Sequence, residues 1–186
     1  MLNESLNETY HSTSGAIEES FLKYAIPAKE YLKGNIVLFD VCYGLGYNAA
    51  AAIQVYFEQY ISGSIKIIGF EIDNKLPKVL VPEYFKDFYS YPVKVVYGDV
   101  RNTLPNCHEK ANVVFLDPFS PKKMPELWTK VFLKSIYDKM SSNSILCTYS
   151  CARLVRENLK AVGFIVEDGP KVGRRGPSTI ARKIFK

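Results

Sequence analysis

Four acidic residues, Asp40, Glu71, Asp99 and Asp117, each stand at the end of a short apolar run. In a parallel sheet, ligands bind outside the carboxyl ends of the strands, where such carboxylates accept hydrogen bonds from hydroxyls or amines. Asp40 leads into Val41-Cys42-Tyr43-Gly44-Leu45-Gly46-Tyr47-Asn48. Small residues between a strand and a helix let backbone approach a ligand and aim helix N–H groups at it. A lone G-x-G also serves plain turns and carries little by itself. Glu71 sharpens the reading, because an acid roughly 20 residues or more beyond the glycines can receive ribose hydroxyls.

A dinucleotide would use the same features, although the third glycine of G-x-G-x-x-G is replaced by Ala49, which some variants permit. Gly98-Asp99 favours S-adenosylmethionine, with Asp99 placed to meet an adenine amino group. A turn glycine and a helix-capping aspartate explain the same pair. The expected cofactor contacts are therefore Asp40, Tyr43, Gly44, Gly46, Asn48, Glu71, Asp99 and Asp117.

The reacting centre is expected in Phe115-Leu116-Asp117-Pro118-Phe119-Ser120-Pro121. Proline stiffens the turn, the Asp117 carboxylate can orient an amine, and Phe119 offers a ring for a base to stack on. Asp117 and Phe119 are the catalytic candidates. Prolines at both 118 and 121 also suit a purely structural turn.

These residues need elements to hold them. Apolar runs at 36–39, 65–70, 93–97, 113–116 and 145–149 read as strands, and 164–166 with 179–185 as a closing pair. Apolar spacing near 3.6 predicts helices over 16–26, 47–60, 75–89 and 124–140, the last carrying Trp128 as a core residue. Pro82 would kink or split the third of these. Ser150 is expected to cap a helix ending at Gly163. Residues 1–15 read as polar loop, with Tyr10-His11-Ser12-Thr13 as a candidate active-site flap. The alternation implies an α/β fold with an open, mostly parallel sheet covered on both faces.

The whole chain, 1–186, suits one domain. No apolar run approaches the ~20 residues that cross a bilayer, and the start lacks a signal-peptide layout. The expectation is a cytoplasmic protein away from membranes. Four cysteines and two histidines (His11 and His108) form no zinc-type spacing, so no metal is expected. Net charge is +5, unevenly spread: residues 1–121 carry 10 Lys/Arg against 14 Asp/Glu, whereas 122–186 carry 14 against 5. The basic portion suits a polyanion, or simply solvated helix faces. Arg153, Arg156, Lys171, Arg174 and Arg175 are the phosphate-contact candidates, and Tyr149 either lines the reaction pocket or belongs to the core.

Asp117-Pro118-Phe119 resembles the Asp/Asn-Pro-Pro-Tyr/Phe motif of enzymes that methylate amino groups on nucleobases. The chain further resembles the methyltransferase half of the bacterial tRNA-modifying MnmC family. The similarity runs through Tyr10 to Ser12, Gly15 to Glu19, Tyr43 to Asn48, Leu116 to Pro121, Pro125 to Trp128, Thr148 to Ser150 and Val172 to Arg175. It implies a Rossmann-like class I fold with a mostly parallel seven-stranded sheet, S-adenosylmethionine as cofactor and tRNA as partner. The implied reaction is N-methylation of 5-aminomethyl-2-thiouridine at the wobble position. Phe119, Tyr149, Arg153, Lys171, Arg174 and Arg175 would then meet the substrate. Many relatives carry a flavin-dependent oxidase half that supplies the amine. No such half is expected within these 186 residues, so the amine is expected to be made otherwise. Cys42 stands where the family more often has glycine. Two rival readings are an aminopropyltransferase of the spermidine synthase type, which also places an acid after the fourth strand, and a silent RNA-binding module.

Overall fold

The computed structural model describes residues 2–3, 8–9, 15–59, 62–76, 91, 93–173 and 176–184. Seven strands form one sheet: β1 (Ile36–Val41), β2 (Ile65–Glu71), β3 (Val93–Tyr97), β4 (Ala111–Leu116), β5 (Met140–Thr148), β6 (Ile165–Asp168) and β7 (Thr179–Lys183). Their order is β3-β2-β1-β4-β5-β7-β6. The first five run parallel, and β7 pairs antiparallel with both β5 and β6. The strand order therefore reverses between β1 and β4, which is where a sheet of this kind opens a crevice. A separate two-residue antiparallel pair joins Leu2–Asn3 to Glu8–Thr9.

Period-two alternation divides the core into two layers. Phe39, Phe70, Val114, Leu116 and Leu146 face one side, under the helices α3 (Val100–Thr103), α4 (Lys130–Asp138) and α5 (Arg153–Ala161). Leu38, Ile67, Val113, Phe115, Ile145 and Cys147 face the other. That second side is covered by α2 (Tyr47–Phe57) and by an N-terminal helix, α1 (Ala16–Glu19), continued by a π-helical turn over Ser20–Ala25. Ala49 to Ala52 are all buried, small side chains that let α2 lie close to its neighbours. The same parity puts Asp40, Glu71 and Asp117 on the α2 side.

The structure alters several expected elements. The predicted helix over 124–140 divides into a 3-10 turn, Pro125–Trp128, and α4. Thr129 separates them: its backbone is extended and its hydroxyl accepts the Phe132 N–H, an N-cap that starts a new helix. β5 begins at Met140, five residues before the expected start. The residue capping α5 is Ala152, and Ser150 instead accepts the Ala152 N–H through its hydroxyl at 3.4 Å. The stretch 16–26 is helical as expected but widens into a π-turn, where the Ile26 N–H reaches back five residues to Phe21. Most of the expected 75–89 helix, the Tyr10–Thr13 flap, Arg174 and Arg175 lie outside the described residues.

Among the described residues, no helix is long and apolar enough to cross a membrane. No cluster of three metal-ligating side chains forms among them either.

Candidate active site

At the end of β1 the chain turns sharply through Cys42, whose φ is +64°. That left-handed conformation suits glycine and costs other L-residues roughly 1 kcal/mol. The turn closes with Gly46 at φ +83°, heading α2. Tyr43 folds its ring back over this turn. A Cβ on Gly46 would stand 2.5 Å from the Tyr43 hydroxyl oxygen, and a Cβ on Gly69 of β2 would stand 2.5 Å from the ring. Both glycines are thus required by one tyrosine, which shapes the loop from behind. Gly69 escaped the sequence reading, although a lone glycine inside a strand marks close approach.

Glu71 ties the same loop to β2. One of its oxygens accepts the Gly44 N–H at 2.8 Å, and the other accepts those of Ile72 and Asp73 at 2.8 and 3.0 Å. A carboxylate has about four lone-pair sites, which leaves one for a ligand hydroxyl. Asp99 is occupied differently. It caps α3 through the Arg101 N–H at 2.9 Å and holds the Arg101 guanidinium with both oxygens. The Arg101 partnership keeps its carboxyl below the usual range. In this structure Asp99 serves as the cap that the sequence left open beside the adenine contact.

Asp40 and Asp117 form the floor. Asp40 is wholly buried, and neither of its oxygens has a hydrogen-bond partner among the described residues. Burial pushes its carboxyl well above the ordinary range, and the charges of Asp117 and Glu71 push the same way; the Ala49 N–H, which lies nearby but outside hydrogen-bonding geometry, opposes them. Asp117 follows β4, its backbone N–H donating to Val41 at 3.0 Å. Its two side-chain oxygens are held separately, Oδ1 by the Tyr24 hydroxyl at 2.5 Å and Oδ2 by the Asn48 amide at 2.8 Å. Burial raises Asp117 to about 6, against the pull of those two donors. Burial also raises the Cys42 thiol, with Glu71, Asp117 and Asp40 adding to the effect, so it stays protonated near neutrality.

The Pro118–Pro121 turn is anchored from below. Tyr149 donates its hydroxyl to the Pro118 carbonyl at 2.8 Å, and the Trp128 indole N–H donates to the Phe119 carbonyl at 2.9 Å. Asn158 of α5 in turn donates to the Trp128 carbonyl at 2.9 Å. Trp128 is core, as expected, and also braces the turn. Arg153 and Arg156 pair with Glu157 and Asp168, each at 2.7 Å, whereas Lys171 is exposed.

The structure thus brings Asp40, Tyr43, Gly44, Gly46, Asn48, Glu71 and Asp117 together at the sheet's switch point. Asp99 packs with α3, whose Val100 belongs to the opposite layer of the core. Tyr24, Lys23 and Glu19 were missed. Nothing local marks them, because their place in the site depends on where the N-terminal helix docks.

A glycine turn beside unpaired, buried acid suits a ligand that carries positive charge and ribose-like hydroxyls, and S-adenosylmethionine has both. Residues 74–184 match the model of a family described as S-adenosyl-L-methionine-dependent methyltransferase. MJ0670, an uncharacterised protein of Methanocaldococcus jannaschii, is 34% identical over 97% of this chain and 55% of its own length. The tRNA 5-methylaminomethyl-2-thiouridine biosynthesis bifunctional protein MnmC of Leptospira interrogans is 37% identical over 42% of this chain and 12% of its own length. The chain therefore spans only part of these relatives. The crystal structure of MnmC2 from Aquifex aeolicus matches with a TM-score of 0.86 at 33% identity, over 97% of this chain and 65% of that one. Spermidine synthase from Thermotoga maritima shares the fold alone, with a TM-score of 0.65 at 14% identity. The chain belongs to the S-adenosyl-L-methionine-dependent methyltransferases.

Proposed function

We propose that this protein methylates the 5-aminomethyl group of 5-aminomethyl-2-thiouridine at the wobble position of tRNA, giving the 5-methylaminomethyl form. The observation that carries the reading is Asp117, a partly buried carboxylate with each oxygen held by one donor, at the switch point beside the glycine turn. Similarity to MnmC and MnmC2 supplies the substrate class.

S-adenosylmethionine, when bound, supplies a methyl group on a sulfonium that a nucleophile can displace. Asp40, Tyr43, Gly44, Gly46, Asn48, Glu71 and Asp99 are the residues proposed to hold it, with Glu71 receiving a ribose hydroxyl at its remaining lone pair. An alkyl amine has an unperturbed pKa of about 10, so most of it is protonated in water. Only the neutral amine carries the lone pair that can attack, so Asp117 orients that form by accepting one of its N–H groups and stabilises the ammonium that develops as the C–N bond forms and the methyl–sulfur bond breaks. Phe119 stacks on the base, and Tyr149 fixes the turn that carries Phe119. Lys171, Arg174, Arg175 and Arg153 contact tRNA phosphates, so affinity for tRNA falls steeply with added salt.

The test is mass spectrometry of nucleosides from undermodified tRNA before and after incubation with the protein and S-adenosylmethionine. The expected result is loss of 5-aminomethyl-2-thiouridine and gain of its methylated form. An unchanged nucleoside profile overturns the proposal. A product formed only from putrescine and decarboxylated cofactor would move the chain to the aminopropyltransferases.

A further inference from the structure

The N-terminal helix contributes a group to the site that the reaction above leaves unused. Tyr24 is 2% exposed and sits on the π-helical turn, its ring edge-on to Phe115 with centroids 5.4 Å apart. π-turns inside helices are rare and gather at functional sites. One extra residue in a turn rotates everything after it by about 100° relative to an α-helical continuation. The turn ends with the Tyr24 hydroxyl on Asp117 Oδ1, opposite the Asn48 amide on Oδ2.

We propose that Tyr24 is a positioning residue: its hydroxyl fixes the Asp117 carboxylate and holds it ionised to receive the substrate amine. The inference rests on the role given to Asp117 above. One donor on each oxygen leaves a lone pair on each, so an incoming N–H adds a third bond without displacing either. The hydroxyl is itself a weak acid there. Burial first, and then the adjacent Asp117 charge, push Tyr24 well above its ordinary value, so it remains a donor.

Several other groups face Asp117. Glu19, on the same helix, raises it, and Lys23 lowers it; these two are ion-paired with each other, Lys23 being buried. Asn48 comes from α2, Asp40 from the end of β1, and Tyr149 lies beyond β5, near Tyr24. Among these groups, Tyr24 and Asn48 are the two hydrogen-bond donors that oppose the effect of burial on Asp117. Removing the Tyr24 hydroxyl therefore shifts Asp117 toward its protonated form, which offers no negative charge to the amine N–H or to the ammonium that develops.

Tyr24→Phe keeps the ring and its contact with Phe115 while deleting the donor. The Asp117 carboxyl carbon is followed by 13C NMR across pH in the ligand-free protein, its signal assigned by absence in Asp117→Asn. The midpoint is expected to rise by about one pH unit in Tyr24→Phe. 3-Fluorotyrosine at position 24, a stronger donor, should move it the opposite way. The acid limb of kcat should follow the midpoint in both, with S-adenosylmethionine affinity unchanged by calorimetry. A midpoint unmoved by either change overturns the inference. A midpoint that moves while the kcat limb stays fixed overturns the role of Asp117 in the reaction and leaves its hold by Tyr24 demonstrated.

Discussion

Asp40 and Asp117 end the adjacent central strands β1 and β4, beneath α2 and the N-terminal helix; Asp40 is wholly buried and Asp117 partly so, and both carboxyls are raised by that burial. Glu71 and Asp99 stand toward the β3 edge, where backbone N–H groups and Arg101 satisfy them. The chemical group is the same in all four, and their fates differ because of what covers each strand end. A carboxyl with local donors is stable and holds a loop. A carboxyl sealed away from water stores unfavourable energy, which a bound cation or amine can relieve.

The largest expected effect separates the two pairs through catalysis. Asp117→Ala should lower kcat by about a hundredfold or more, while calorimetry shows affinity for S-adenosylmethionine changed far less. Equal rates in variant and parent would remove Asp117 from the chemistry.

Stability gives the second contrast. The folded value of Asp117 is raised to about 6, above an unfolded value of about 4. A raised carboxyl contributes fully below the unfolded value, and that contribution is lost as pH climbs through the folded one. Asp117→Asn should therefore gain about 2–3 kcal/mol on the parent between pH 4 and pH 8, read by urea denaturation at each pH. A difference independent of pH would mean that Asp117 is not desolvated as described.

The outer acids should respond through binding and local order. Glu71→Ala removes the acceptor for three backbone N–H groups and should weaken S-adenosylmethionine by about tenfold or more in calorimetry. Unchanged affinity would refute a ribose contact. Asp99→Ala should cost about 1 kcal/mol of stability through loss of a helix cap, with a smaller effect on affinity than Glu71→Ala. Equal losses of affinity would give Asp99 as large a share in cofactor binding as Glu71 and blur the division between the pairs.

Much of this arrangement is legible in the amino-acid order. Each of the five parallel strands, and the acid after each of the first four, can be placed because apolar runs and their punctuation are local signals. The Thr129 break within 124–140 is also local in principle, since threonine is a good N-cap, but it lies inside an uninterrupted amphipathic pattern. Tyr24 is different in kind. Its role depends on a π-turn and on the docking of a helix 93 residues before Asp117, and neither leaves a mark in composition or spacing. Asp99 shows the reverse: an acid followed two residues later by arginine already carries its own partner.

The only tryptophan of the chain reaches the turn that bears Phe119 through its indole N–H and meets the Tyr149 ring edge-on, with centroids 6.1 Å apart. A natural fluorophore is thus hydrogen-bonded to the backbone of the Pro118–Pro121 turn. Its emission should report, without any label, each time that turn is disturbed by an arriving guest.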